Sequence, residues 1–518
     1  MYTQKKHPAW LDNAIFYEIY PQSFRDSNAD GIGDIPGIIE KLDYIKDLGF
    51  SAIWLNPCFQ SPFRDAGYDV EDYYTVANRY GTNEDLIHLF QEAHARNMHV
   101  LLDLVPGHTA ITHKWFQESM KATRNPYTDR YVWTDSVWTE PDGMSSLKGI
   151  SDRDGACAVN FFSHQPALNY GYYHRDPQQK WQQAMDAEGP MATRAALKDI
   201  MRFWLKAGCD GFRVDMAGSL VKNDFEGKGT ISLWQDIRSF LDSEFAEAVL
   251  ISEWGEPDKS LIGGFHMDFL LHFGPSHYND LFRCKHPYFK KDGAGSAKEF
   301  VAAYQKNLAQ TKENGLICIP SGNHDMERLA KYLDPDELKV AFAFLLSMPG
   351  APFVYYGDEI GMRYVEGLTS VEGGFQRTGS RTPMQWNSGL NAGFSSASSE
   401  KLYTSQDTAM DRINVEVEEA DMNSLLNEIK HLIAFRQENE ALKNNGKIQF
   451  ISDNYPLVYK RFTEKQEILV VLQPASKTIQ LTKITGTILY HVGAKPSLYN
   501  HTLTLPGCSA VFIELKHC

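Results

Sequence analysis

Residues 193–215 read TRAALKDIMRFWLKAGCDGFRVD: an amphipathic run over 193–208 that stops at Gly208 and gives way to the short apolar run Gly211–Asp215. Apolar positions at helical spacing, followed at once by a β-type run, predict a helix feeding a buried strand. The same unit recurs on both sides. Short apolar runs at Ala14–Tyr20, Ala52–Asn56, Val100–Val105, Val249–Glu253, His266–Leu271, Leu316–Pro320 and Pro352–Tyr356 alternate with amphipathic stretches. The latter include Ile38, Ile39, Leu42, Ile45 and Leu48, then Leu86, Leu89, Phe90 and Ala93, and the segments Leu233–Phe245, Ala297–Gln310 and Asp336–Ser347. Eight strands with interleaved helices predict an α/β chain built as a (β/α)8 TIM barrel, whose chemistry sits at the C-terminal strand ends.

One connection is too long for a simple loop. Between the third strand and the helix near Thr193 lie about 80 residues rich in aromatics, Gly and Pro, a length that predicts a small inserted domain. Past the helix Leu425–Leu442 the pattern changes to short alternating strands at Ile448–Ile451, Leu457–Phe462, Glu467–Leu472, Thr478–Leu481, Thr487–His491 and Ala510–Leu515. These predict a C-terminal β-sandwich. The expected organisation is barrel over 1–105, inserted domain over 106–176, barrel again over 177–442, and sandwich over 443–518. Ser395–Ser399 reads as a short flexible loop.

With 518 residues, at about 150 per domain, roughly three domains are expected, and 43% hydrophobic residues can bury a large core. The balance of 51 Lys+Arg against 66 Asp+Glu gives a net charge of −15. Such an excess repels phosphate backbones and anionic lipid, so neither nucleic acid nor a membrane is an expected partner. The first residues carry no apolar stretch, and the longest apolar run is broken by Pro349 and Pro352. A cytoplasmic protein is therefore the expectation. Seven cysteines, an odd count without CxxC spacing and including the terminal Cys518, suit reduced thiols better than disulfides or zinc.

The strand ends carry the chemistry. Arg213 and Asp215, two residues apart, share one face of a strand, and a guanidinium beside a carboxylate keeps it ionised, as a nucleophile requires. The next strand ends in Glu253-Trp254, and an apolar neighbour raises a carboxyl pKa, as a general acid requires. Two carboxylates on adjacent strand ends can stand roughly 5–5.5 Å apart, the separation of retaining glycosidases. Asp103 to His108 end the third strand, and Ser321-Gly-Asn-His324-Asp325 end the seventh. Two histidines and four acids at the same end of one barrel point away from core packing.

With these motifs in this order over nearly its whole length, the chain resembles the α-amylase family, glycoside hydrolase family 13. The resemblance implies that Asp215 is the nucleophile and Glu253 the acid/base. It implies that Asp325 binds the sugar hydroxyls beside the scissile bond, with His108, Arg213 and His324 lining the same subsite. Ser61-Pro-Phe-Arg-Asp65-Ala-Gly-Tyr68-Asp69 is similar to a segment of α-glucosidases in which the Tyr stacks on the terminal glucose and the Asp caps it, roles that fall to Tyr68 and Asp65. Gln165-Pro-Ala-Leu-Asn169 resembles a family segment with Ala167 where Asp is usual, and Phe161-Phe-Ser-His-Gln165 is similar to trehalose synthases. Arg381-Thr-Pro-Met-Gln-Trp386 resembles a segment shared by both groups, whose Arg reaches the first subsites.

Asp26, Asn28, Asp30 and Asp34 alternate around a glycine turn, and hard oxygen ligands so spaced suit Ca²⁺. The loop resembles the calcium loop of oligosaccharide α-glucosidases, which implies a backbone ligand at Ile32. Gly107 stands where the family carries a calcium-ligating Asn, and Met216 stands where many relatives have Ala or Val. The expected activity is a retaining α-glucosidase on short α-linked gluco-oligosaccharides. The alternatives are glucosyl transfer or isomerisation as in trehalose synthase, endo-acting α-amylase, and a non-catalytic glucan-binding protein.

Overall fold

All eight apolar runs form strands in the computed structural model, which describes residues 7–312, 314–373 and 377–516. They are β1 (Phe16–Ile19), β2 (Ala52–Leu55), β3 (His99–Leu104), β4 (Gly211–Val214), β5 (Val249–Ser252), β6 (Met267–Phe269), β7 (Leu316–Cys318) and β8 (Phe353–Tyr355). All pairs are parallel, in the order β7-β6-β5-β4-β3-β2-β1-β8. A single bridge, Pro320 to Phe353, closes the barrel. It is reinforced by Ser321, whose amide donates to Phe353 O at 2.9 Å and whose Oγ accepts from Tyr355 N at 3.1 Å. Helices cover the outside, so β2, β4 and β5 are buried throughout, which is why they read as continuous apolar runs.

The helix that opened the sequence reading spans Glu188–Ala207, beginning ahead of Thr193. Its N-cap, Ala187, makes no side-chain cap bond, so the sequence carries no start signal there. The following strand must begin with glycine: Gly211 has φ +149°, and a Cβ on it would lie 2.0 Å from Val249 O.

The long connection after β3 carries the helix Lys114–Ser119 and a two-stranded ribbon, Ser146–Lys148 with Ala156–Ala158. Within it, a bridge between His108 and Ala167 joins the segment leaving β3 to the segment 165–169. The C-terminal region is a β-sandwich. One sheet contains β9 (Lys447–Asp453), β10 (Leu457–Phe462), β11 (Glu467–Gln473), β13 (Gly486–Val492) and β16 (Ser509–Leu515), and the other β12 (Ile479–Thr482), β14 (Ser497–Tyr499) and β15 (Thr502–Leu505). Val458, Leu469, Val471, Val511 and Ile513 of the first sheet pack against Leu503 and Leu505 of the second. No described helix is long and apolar enough to cross a membrane. Cys58, Cys157, Cys209 and Cys318 are buried free thiols, Cys284 and Cys508 are half-buried and free, and Cys518 lies outside the described residues.

Candidate active site

β3 and β4 pair in register, Asp103 opposite Arg213, and both side chains turn into the barrel. The Arg213 guanidinium, 1% exposed, is shared by three carboxylates. Nη1 lies 3.0 Å from Asp103 Oδ1 and 3.2 Å from Asp215 Oδ1, and Nη2 lies 2.8 Å from Glu253 Oε2. Burial is the largest influence on Asp215 and Glu253 and raises both; Glu253 adds to the rise of Asp215, and Arg213 opposes both. The expectation that Arg213 simply keeps Asp215 ionised is thus corrected. One cation is divided among three buried acids, and burial outweighs it at both Asp215 and Glu253.

Glu253 follows β5. Its Oε2 also accepts from the amide of Met216 at 3.2 Å, and Met216 holds a left-handed conformation, φ 44°, that non-glycine residues rarely adopt. The polar groups of Trp254 are engaged elsewhere. Its Nε1 donates to Glu256 Oε2 at 3.2 Å, while its amide donates to Asp268 Oδ1 at the same distance. Burial at the barrel end raises Glu253.

Asp325 accepts from Arg381 Nη2 at 3.0 Å and from Arg377 Nη1, and its Oδ2 lies 3.4 Å from His324 Nε2. Burial works against this charge, but His324 and the two guanidiniums outweigh it and hold Asp325 well below the usual carboxylate range. Burial lowers His324 itself as well. Arg381 is 4% exposed and also donates to His324 O at 2.8 Å. It stands behind Asp325 as a positioning residue and does not line the cavity. Arg377, which the sequence reading passed over, takes the cavity-facing place and also donates to Asp65 Oδ1 at 2.9 Å.

Asp65 also accepts from Gln165 Nε2 at 2.8 Å. The buried Asp69 shapes the turn that presents it, accepting from the amides of Arg64 and Asp65 at 3.0 and 3.1 Å. Tyr68 stacks on His324, centroids 5.1 Å apart, and donates to Asp103 Oδ2 at 2.9 Å. Burial lowers His108 to about 4, so it is neutral at pH 7. Its Nε2 donates to Tyr68 O at 3.0 Å, which leaves Nδ1 to accept from Asn160 Nδ2 at 3.1 Å. Asn160 also accounts for Gly107, where a Cβ would lie 2.6 Å from Asn160 Nδ2. Asp65, Tyr68, His108, Asp215, Glu253, Asp325 and Arg377 surround a cavity of about 450 Å³ whose remaining wall is Phe161, Phe162, Met216, His272 and Phe273. Arg213, His324 and Arg381 lie behind that lining.

The α-amylase catalytic domain matches residues 18–445 of this chain. The chain belongs to the α-amylase family. It is 33% identical over 499 residues to the trehalose synthase/amylase TreS of Mycolicibacterium smegmatis, covering 83% of this chain and 77% of that one. It is 29% identical over 574 residues to an oligo-1,6-glucosidase of Heyndrickxia coagulans, covering 97% and 99%. Among solved structures, a mutant isomaltulose synthase from Erwinia rhapontici in complex with its natural substrate sucrose superposes with a TM-score of 0.82 at 25% identity, covering 98% of this chain and 100% of that one.

In this α-amylase-family enzyme the loop 26–34 is built from Asx turns. Asp26 accepts from the amides of Asn28, Ala29 and Gly31 and from Ser395 Oγ, Asn28 Oδ1 from Asp30 N, and Asp30 Oδ1 from Ile32 N. Asp34 caps the following helix through Gly37 N at 2.7 Å. The donors are all oxygens, which suits Ca²⁺. Their carboxylates face the loop's own amides, and among the described residues no group of three acidic, His or Cys side chains is arranged to hold a metal ion. Ser395, expected in a flexible loop, is buried and its Oγ meets Asp26 Oδ2 at 2.6 Å.

Proposed function

We propose that this enzyme is a retaining α-glucosidase acting on short α-linked gluco-oligosaccharides. The observation that carries the reading is the Asp65–Arg377–Asp325 bridge beside Tyr68. It walls the cavity where a terminal sugar would sit, so a chain end is accepted and a chain interior is not. Asp215 attacks the anomeric carbon while Glu253 gives its proton to the departing oxygen as the C–O bond breaks. Water then replaces Asp215, losing its proton to Glu253, and the sugar leaves with its original anomeric configuration. Asp325 stays ionised and receives the hydroxyls next to the reacting carbon.

A second reading, glucosyl transfer within the cavity as a trehalose synthase performs it, is supported by Phe161, Phe162, Met216 and Phe273. An apolar wall on this scale retains the released sugar and excludes water. In either case Ca²⁺, held by Asp26, Asn28, Asp30, Asp34 and the Ile32 carbonyl, is proposed as a structural ion with no part in the reaction.

A proton NMR time course on maltose tests the proposal. Glucose accumulating alone, lost in Asp215→Ala with the fold retained, is the expected result. Early trehalose or longer glucosides move the assignment to transfer. An unchanged spectrum overturns the proposed action on maltose.

A further inference from the structure

Glu18 lies on β1, fully buried against His324, and no step of the proposed reaction uses it. Its Oε1 meets three groups: His324 Nδ1 at 2.9 Å, Asn56 Nδ2 at 3.2 Å and the His324 amide at 3.4 Å. Its Oε2, also buried, has no hydrogen-bond partner among the described residues. Asn56 closes the triangle, its Nδ2 standing 3.1 Å from His324 Nδ1.

One arrangement of protons pairs a donor with an acceptor at every contact of this triangle. The Asn56 amide nitrogen carries only hydrogens and faces Nδ1, so Nδ1 is bare. Glu18 Oε1, 2.9 Å from that bare nitrogen, then carries a hydrogen and donates it. An ionised Glu18 fails whichever way Asn56 is turned. It needs a hydrogen on Nδ1, which opposes the N–H of Asn56; with the amide reversed, the amide oxygen opposes the carboxylate instead. A carboxylate would also leave a charged oxygen, Oε2, buried and unpaired, and the carbonyl of a neutral acid costs far less there. Burial drives Glu18 the same way and raises it well above its ordinary value, with Asp103 adding to the rise. Asn56 and Arg213 oppose it, but the Arg213 charge is already shared by Asp103, Asp215 and Glu253.

Burial holds His324 well below its usual value, so the ring is neutral at pH 7 and carries one hydrogen. With Nδ1 bare, that hydrogen is on Nε2, the nitrogen 3.4 Å from Asp325 Oδ2. Both arginines meet Asp325 at Oδ1, so Oδ2 is the oxygen that His324 serves. Stacking on Tyr68 sets the plane of the imidazole but not which nitrogen is protonated. We propose that Glu18 is a positioning residue: as a neutral carboxylic acid it donates to Nδ1, fixes the Nε2–H tautomer of His324, and so presents an N–H to Asp325 Oδ2. Its consequence for turnover rests on the reaction proposed above; the tautomer does not.

Ring-nitrogen NMR of the resting enzyme labelled at histidine tests it, with His324 identified by the signal lost in His324→Gln. A bare Nδ1 and a protonated Nε2 are expected. A protonated Nδ1 overturns the proposal, since Glu18 would then be the acceptor, and the wild-type spectrum decides this even where a variant does not fold. Maltose kinetics give a second reading. Glu18→Leu should release the tautomer and lower kcat about tenfold, the effect of one lost hydrogen bond to a charged group, with little change in KM. Glu18→Gln, whose amide donates to Nδ1 without a charge, should keep Nδ1 bare and restore most of the lost rate. Glu18→Gln as impaired as Glu18→Leu would mean that a charge is required, and Glu18→Leu with tautomer and rate unchanged would mean that Glu18 positions nothing; either result overturns the proposal. The spectrum needs no substrate, so an enzyme inactive on maltose leaves the tautomer readable, and a protonated Nδ1 leaves the proposed reaction standing.

Discussion

Arg213 Nη2 stands 2.8 Å from Glu253 Oε2, and the other arm of the same guanidinium reaches Asp215. The acid and the nucleophile of the proposed reaction therefore draw on one charge, and burial raises both. A general acid must arrive protonated, so activity is lost as pH rises through the Glu253 value, which lies above its ordinary 4.5. The pH profile of kcat/KM on maltose should show this basic limb above the usual carboxylate range. Glu253→Gln should abolish it, and a limb at 4–5 in the wild type would contradict the burial argument.

Arg377 binds Asp65 and Asp325 at once, a geometry that needs the planar fork of arginine. Arg377→Lys can satisfy one acid but not both. We expect kcat/KM on maltose to fall about 100-fold, with most of the loss in KM, and Arg377→Met to fall further. Initial rates at varied maltose settle the matter, and an unchanged KM would mean that the bridge does not shape the sugar site.

Glu359, fully buried, accepts from Tyr17 and Tyr44 at 2.6 and 2.9 Å, and burial raises it from 4.5 to about 7. Because the folded value is the higher, its contribution to stability is complete below pH 4.5 and is lost as pH rises towards 7. Glu359→Gln, neutral at every pH, should therefore gain on the wild type by ~3 kcal/mol between pH 4.5 and 8. Urea denaturation of both proteins at the two pH values reads the difference; a constant gap would show that Glu359 is already ionised in the fold.

If Ca²⁺ occupies loop 26–34, chelation should lower Tm by several degrees, since an ion bound only by the folded state stabilises it by mass action. Asp30→Ala should erase the difference between EGTA and Ca²⁺. Identical melting curves for the wild type in both buffers would show that the Asx turns and Ser395 suffice.

Much of this was legible in the sequence because the barrel strands are short apolar runs between helices, and helix-covered parallel strands leave no other pattern. The strands β14 and β15 escaped notice: Ser497–Tyr499 and Thr502–Leu505 are three and four residues long, with polar groups interrupting them. Asp65, Tyr68, His108, Asp215, Glu253 and Asp325 do gather around one cavity, since barrel topology brings strand ends together whatever their separation in the chain. Arg377 was missed for the opposite reason. It lies in a Gly-rich loop without periodicity, and only the fold shows that it, rather than Arg381, lines the cavity. The rise expected for Glu253 is present, with burial at the barrel end as its largest cause.

Arg377 ties Asp65 to Asp325 across one wall of the cavity. Under the proposed α-glucosidase reaction, the glucosyl group would enter first and sit deepest, with the rest of the substrate between it and solvent. Departure would run in reverse: the leaving fragment at the first step, and glucose only after the glycosyl-enzyme is resolved. Glucose would then be the product that the free enzyme meets again, and its accumulation would slow turnover by competing with fresh substrate. The salt bridge proposed to select a chain end would also order the queue of products.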